Sequence, residues 1–214
     1  MKILVTGSSC GIGRAIALKF LNEGHDVVGI DILNATIEHG NYSHIIADVC
    51  GQLPEIDGVD VLINNAGVQN TGKDIEVNLK GTIAVTEKYA IHENIKSVVF
   101  IASASAETGS EFPEYVASKG GMVSYMKNVA LRIAPYGATS NALSPGGVIT
   151  PLNQHIIDSP ELWQKVMDET PLKKWATASE IAEWAYFVAV INKSMTAQNI
   201  IIDNGEMAKA NFIW

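Results

Sequence analysis

Apolar positions along the chain follow two alternating rhythms. Short continuous runs such as Ile3-Leu-Val5, Val61-Leu-Ile63 and Val98-Val-Phe-Ile-Ala102 are rich in β-branched residues and predict buried strands. Between them apolar residues recur every three or four positions. Ile12, Ala15, Ile16, Phe20 and Leu21 do so first, then Leu79, Ile83, Tyr89 and Ala90, then Met122, Tyr125, Met126, Val129 and Ile133. These rhythms predict strands over residues 3–5, 26–31, 42–47, 58–63, 97–102, 139–143 and 197–203. They predict helices over 12–21, 77–94, 114–135, 160–166 and 179–190. Pro135 and Gly137 close the long third helix, its methionines read as core or subunit interface, and Ser179 reads as the N-cap of the last helix. Residues 34–42 support no more than a turn or an abbreviated helix, and residues 144–151 are too rich in Pro and Gly for regular structure. The alternation carries no repeat, linker or low-complexity tract. It predicts a single α/β domain over residues 1–214, a Rossmann-like doubly wound parallel sheet of about seven strands with helices on both faces.

Several predicted strands end on small or polar residues, and in such sheets those ends converge on the ligand crevice. The first runs into Gly7-Ser-Ser-Cys-Gly-Ile-Gly13 and then directly into a helix. Glycines here permit a tight turn and close approach of backbone to a pyrophosphate, which the helix N-terminus then receives. The Gly-x-x-x-Gly-x-Gly spacing is one residue wider than the usual dinucleotide fingerprint, and it lacks the Lys-Ser/Thr pair of a phosphate-hydrolysing loop. The second strand ends on Asp31, 18 residues past Gly13. A carboxylate there accepts the hydroxyls of an adenosine ribose and repels a 2′-phosphate, so NAD is favoured over NADP; the bland alternative is a carboxylate that solvates a strand end. Arg14 has two open readings, a pyrophosphate contact or an exposed charge at the helix start.

Tyr115 and Lys119 lie four apart on the long predicted helix and so share a face. An ammonium beside a phenol stabilises the phenolate, which makes tyrosine a usable general acid/base for an alcohol or carbonyl. Ser103, 12 residues before Tyr115 at the end of a predicted strand, can polarise the reacting oxygen. Ser105 follows the same strand and competes for that role.

Composition removes other classes. The 214 residues are 47% hydrophobic, suit one domain, and hold no run long enough for a membrane span. A formal charge of −8 without a basic stripe argues against nucleic acid as a partner. Cys10 and Cys50 read as reduced thiols, and the five scattered histidines make no ligand spacing, so no metal is expected. Met1 leads straight into the first strand without a targeting pattern, and a cytoplasmic location is expected.

With these residues in order, the chain resembles the short-chain dehydrogenase/reductase family. The resemblance rests on Thr6-Gly-Ser-Ser-Cys-Gly-Ile-Gly13, Asp48, Asn64-Asn-Ala-Gly67, Asn78, Ser103, Tyr115-Val-Ala-Ser-Lys119, Asn141 and Pro145-Gly-Gly-Val-Ile-Thr150, and covers nearly the whole chain. It implies Tyr115 as acid/base, Ser103 as stabiliser of the substrate oxygen, and Lys119 as ribose holder and tyrosine activator. It implies that Asn78 kinks its helix and orders a water of the proton relay. For the cofactor it implies Gly7, Ser9, Cys10, Gly11, Ile12 and Gly13 at the pyrophosphate loop, Asp31 at the ribose, and Asp48 and Val49 at the adenine. Asn65, Ala66 and Gly67 would line the cofactor with Pro145 and Gly146, and Val148 and Thr150 would position the nicotinamide carboxamide. The chain departs from the family pattern by being shorter between Asp31 and Tyr42 and between Gly67 and Asn78.

The family places a mobile lid where this chain has residues 151–175, here with Leu152, His155, Ile156, Trp163, Val166 and Trp175. Such a cover suits a small or medium alcohol or ketone with an apolar portion. The expected function is NAD(H)-dependent hydride transfer between nicotinamide and a secondary alcohol or ketone. A 3-oxoacyl reductase-like enzyme, an NAD-using epimerase or dehydratase, and a non-catalytic dinucleotide sensor stand as alternatives. A homotetramer or homodimer is expected through the apolar helices, with the terminal Phe212, Ile213 and Trp214 received by a neighbouring subunit or the lid.

Overall fold

A computed structural model describes residues 1–110 and 112–209. In chain order the strands are β1 (Lys2–Thr6), β2 (Asp26–Asp31), β3 (Tyr42–Ile46), β4 (Val61–Asn64), β5 (Ser97–Ile101), β6 (Thr139–Pro145), β7 (Val148–Ile149), β8 (Ala176–Thr177) and β9 (Asn199–Ile202). The α-helices are α1 (Gly11–Asn22), α2 (Thr82–Tyr89), α3 (Ser105–Thr108), α4 (Pro113–Ile133), α5 (Gln154–Ile157), α6 (Pro160–Glu169) and α7 (Ala178–Tyr186). Seven strands make one parallel sheet in the order β3-β2-β1-β4-β5-β6-β9. It is the Rossmann-like doubly wound sheet the alternation predicts.

Alternation along β1 shows how one strand serves two cores. Ile3 and Val5 face the layer of α1 and α7, packing with Ile16, Phe20, Ile181 and Ala185. Leu4, one residue out of phase, faces the layer of α2 and α4 with Val85, Met122, Met126 and Ile133. The two methionines are therefore core. Each fully buried side chain of this size is worth roughly 1.5–3 kcal/mol over leaving it exposed. The central strands are thereby clamped from both faces, which fixes the carboxyl ends of β1, β4, β5 and β6. Strand order reverses between β1 and β4, and the crevice opens there.

Local differences from the predicted elements have identifiable causes. Residues 32–41 form no helix; Ile37, 6% exposed, plugs the core in its place. Residues 47–60 likewise cross from β3 to β4 without a helix, burying Val49 and Val59. The helix expected over 77–94 begins as a π-helical turn, Ile75–Gly81, and ends at Tyr89. The N-cap of α7 is Thr177 rather than Ser179: its hydroxyl accepts the Glu180 N–H while Glu180 accepts the Thr177 N–H, a capping box. The stretch over 144–151 is regular in part, with bends at Gly146, Gly147 and Thr150. β6 runs to Pro145, and β7 pairs with β8 to tie the base of the following segment to the sheet. The expected packing of the chain end falls on residues 210–214, outside the described residues.

Candidate active site

The glycine loop is built by close packing. A Cβ on Gly13 would stand 2.1 Å from the Gly7 carbonyl oxygen and 2.3 Å from Asn65 Nδ2, and Gly7 itself turns at φ +68°. Asn65 explains the crowding: its Nδ2 donates to the carbonyls of Thr6 and Gly7 at 3.0 and 3.1 Å. The Asn65 and Ala66 amides both donate to Thr6 Oγ1. Asn65 thus braces the loop, with both its amide hydrogens committed to loop carbonyls. Gly11, at φ +53°, is different, because a Cβ there would meet nothing closer than Thr150 at 3.7 Å. Cys10 precedes α1 in extended conformation without a side-chain cap, and the first turn carries no acidic residue. An uncapped helix N-terminus beside an open glycine fits a phosphate group.

Asp31 lies beside this loop, 8% exposed, with Oδ2 accepting the Ser9 N–H at 2.9 Å and Oδ1 accepting the Leu33 N–H at 3.0 Å. Each oxygen keeps acceptor capacity for a ribose hydroxyl. Cys10 is exposed, and its thiol pKa is raised by partial burial and by the charge of Asp31. Arg14 turns outward and donates to Thr36 Oγ1 and to the Thr36 carbonyl, while Thr36 Oγ1 donates to the Ser9 carbonyl at 2.6 Å. Arg14 therefore ties the helix-free segment to the loop, a third role that neither reading of it contained. Further along, the Tyr42 hydroxyl sits 3.0 Å from both Ser8 Oγ and His44 Nδ1, and burial raises its pKa. Asp48 is exposed and caps the turn at Cys50, whereas Val49 is buried against Gly81.

Ser103 stands just past β5, 7% exposed. Its Oγ accepts from Ser105 Oγ at 2.9 Å and from the Ser105 N–H at 3.2 Å. With both lone pairs engaged, the Ser103 proton is the part of the hydroxyl left to donate elsewhere. On α4, the Lys119 ammonium lies 5.7 Å from the centroid of the Tyr115 ring and donates to the Ile101 carbonyl at 2.9 Å. Lys119 is buried, and Tyr115 is partly exposed to the cleft. Asn78, wholly buried in the π-helical turn, accepts from the Val68 N–H at 2.7 Å and donates to the Val68 carbonyl and to Ser118 Oγ. Gly67 completes this group, since a Cβ there would stand 3.1 Å from Asn78 Oδ1 and 3.5 Å from Lys119 Nζ.

A cleft of about 960 Å³ gathers Ile12, Ser103, Tyr115, Pro145, Gly146, Val148 and Thr150. Asp31, Asp48 and Val49 are not on its wall, and lie toward the β2–β3 side. Several cleft residues escaped the sequence reading: Gln69, Asn70, Phe112, Glu169 and Glu206. Glu206 had a usable signal, because it follows the end of a predicted strand, where ligand-facing groups collect. Asn70 had none. It adopts φ +55° and is held by Asp74, whose buried carboxylate accepts the Asn70 and Thr71 N–H groups.

A family model described as enoyl-(acyl carrier protein) reductase matches residues 41–206. The chain belongs to the short-chain dehydrogenase/reductase family. This is a family of oxidoreductases that bind a nicotinamide cofactor. A 2-(R)-hydroxypropyl-CoM dehydrogenase of Xanthobacter autotrophicus is 30% identical, over 87% of this chain and 90% of that protein. A glucose 1-dehydrogenase of Gluconobacter oxydans is 28% identical, over 95% and 91%. The ligand-free aldohexose dehydrogenase of Thermoplasma acidophilum superposes with a TM-score of 0.87 at 27% identity, covering 100% of this chain and 96% of that one. Among the described residues, no helix of this short-chain dehydrogenase/reductase is long and apolar enough to cross a membrane.

Proposed function

We propose that the protein is an NAD(H)-dependent oxidoreductase acting on a secondary alcohol or ketone, with Tyr115 as its general acid/base. The observation that carries this reading is the meeting of three groups from two elements: Ser103 just past β5, and Tyr115 with Lys119 on α4, the first two lining one cleft and the Lys119 ammonium beside the Tyr115 ring. A bound nicotinamide supplies the hydride donor or acceptor. The chain supplies the rest. Ser103 donates its free proton to the substrate oxygen, and the Tyr115 hydroxyl gives or takes the proton on that oxygen as charge develops there. Lys119, in its buried position, favours the tyrosinate and holds the ribose. Asn78 keeps the π-helical turn against Val68 and Ser118, so that the relay side of Lys119 stays ordered.

Support for NAD over NADP is Asp31, a buried carboxylate at the loop where a 2′-phosphate would have to sit. The crowding at Gly7 and Gly13, the open Gly11 and the uncapped α1 support the loop as the pyrophosphate site. We assign Pro145 and Gly146 to the cofactor, Val148 and Thr150 to its nicotinamide, and residues 151–175, with α5 and α6, to a substrate lid. We place the enzyme in the cytoplasm as a homo-oligomer. The deciding experiment compares NADH and NADPH oxidation over a ketone and aldehyde panel, with Tyr115→Phe as control. Turnover with NADH that Tyr115→Phe abolishes is expected. Tight NADH binding without turnover of any substrate, unchanged in the variant, would sink the reading.

A further inference from the structure

Resting on that reading, the cleft also carries information about the substrate. Besides Ser103 and Tyr115, its lining includes Glu206 and Trp175. Glu206 is held from two directions: Oε1 faces the hydroxyl of fully buried Thr170 at 2.8 Å, and Oε2 lies 3.1 Å from where a Gly146 Cβ would stand. Its head is therefore fixed beside the end of β6, whose Pro145 carbonyl accepts the N–H of Ala104 between the two serines. Trp175 is 6% exposed, and its Nε1–H has no hydrogen-bond partner. The same indole edge lies against Gly147, on which a Cβ would come 2.0 Å from Nε1. A buried donor without an acceptor costs about 1–3 kcal/mol and marks a place where an acceptor belongs.

We propose that the substrate is a neutral polyhydroxylated compound, a free sugar or sugar alcohol, with Glu206 accepting its hydroxyl protons and Trp175 Nε1 donating to one of its oxygens as the lid settles. Hydroxyls satisfy a carboxylate and an N–H at once, being both donor and acceptor. An acyl chain would dehydrate Glu206 and give nothing back. An acid would meet the carboxylate of Glu206, while Glu169 is exposed and paired with Lys209 at 2.8 Å and the ammonium of Lys165 is exposed and already paired with Glu161 at 2.7 Å. The apolar substrate portion expected from the lid residues alone gives way here to a mixed lining.

The test measures kcat and KM of the holoenzyme for glucose, sorbitol, cyclohexanol and 3-hydroxybutyrate, using wild type, Glu206→Leu, Glu206→Gln and Trp175→Phe. Sorbitol binding to the complex with reduced cofactor is followed by calorimetry, and cofactor affinity is measured separately. We expect the better polyhydroxylated substrate to exceed the other two compounds in kcat/KM by about tenfold or more. Glu206→Leu raises its KM and Kd by about tenfold or more with cofactor affinity within about twofold, and Trp175→Phe raises KM several-fold. If Glu206→Leu fails to fold, Glu206→Gln carries the test with a rise of about threefold or more. Better turnover of cyclohexanol or 3-hydroxybutyrate, or an unmoved KM and Kd in the folded Glu206 variant, overturns the inference while leaving hydride transfer intact. Cofactor binding with no turnover of any compound overturns both.

Discussion

Replacing Ser105 with alanine separates the two serines that compete for one role. Ser105 reaches Ser103 Oγ through a hydroxyl bond of 2.9 Å and an amide bond of 3.2 Å, and only the first is lost in the variant. A single buried hydrogen bond is worth about 0.5–1.5 kcal/mol. If that bond acts by directing the Ser103 proton, kcat falls about 2- to 13-fold. On the proposed mechanism, Ser103→Ala removes the donor to the reacting oxygen and is expected to cost about 10²–10³ in kcat. Because Ser105 works through Ser103, the double variant should be no slower than Ser103→Ala alone, giving a coupling free energy about equal to the whole Ser105 effect. The assay is kcat at saturating cofactor on the best substrate of the panel, with cofactor affinity and melting temperature as checks on folding. Equal losses in the two single variants, or additive losses in the double, would refute the positioning argument and make Ser105 a direct contact.

Three further outcomes are expected. Asn78→Ala deletes bonds to Val68 N, Val68 O and Ser118 Oγ inside a fully buried turn, so it should lower unfolding free energy by about 2–4 kcal/mol in denaturant melts, with activity falling as well. Asp31→Ala should weaken NADH and strengthen NADPH, moving the ratio of their kcat/KM values by about tenfold or more toward NADPH; an unmoved ratio removes the ribose role from Asp31. His25 is held below its ordinary pKa by burial and by the N-terminal ammonium near it. Its charged form is thus disfavoured in the folded state, so stability is full above the unfolded value of 6.5 and declines as pH falls below it. His25→Phe, which keeps the ring packing with Phe20 and Tyr186, should flatten the melting temperature between about pH 6.5 and 5 relative to wild type.

Strand identity was legible because the apolar runs are short, rich in β-branched residues and bounded by polar or glycine positions: β2 falls on residues 26–31 as its pattern predicts. The pairing of Tyr115 with Lys119 was legible for a similar reason, since helical spacing alone brings them together. The π-helical turn was not. It depends on bonds from Asn78 to Val68, ten residues away, which no local period encodes. β7 and β8 are two residues each and exist only through their mutual pairing. The α7 start was encoded and misread: Thr177 followed three residues later by Glu180 is the capping-box pattern, whereas Ser179 has Ala182 in that place. Arg14 and Asn65 show the remaining gap: that each also braces backbone, Arg14 at the Thr36 carbonyl and Asn65 at the Thr6 and Gly7 carbonyls, depends on contacts between distant segments that no local pattern encodes.

The two helix-free crossings leave the sheet unequally insulated. Around β4, β5 and β6, α-helices or their turns cover the strands, whereas β3 is an edge whose residues are at best partly buried and whose Ile46 is 60% exposed. Amide hydrogens on the central strands should therefore exchange only by global opening, while those of β3 and of residues 32–41 exchange through small local excursions. The side chains that tether this edge, Ser8 to Tyr42 to His44 to the Leu33 carbonyl, are polar and few. A dinucleotide whose adenosine lies there would slow exchange at that edge far more than at the catalytic end, so the protection pattern itself would report which half of the molecule the ligand completes.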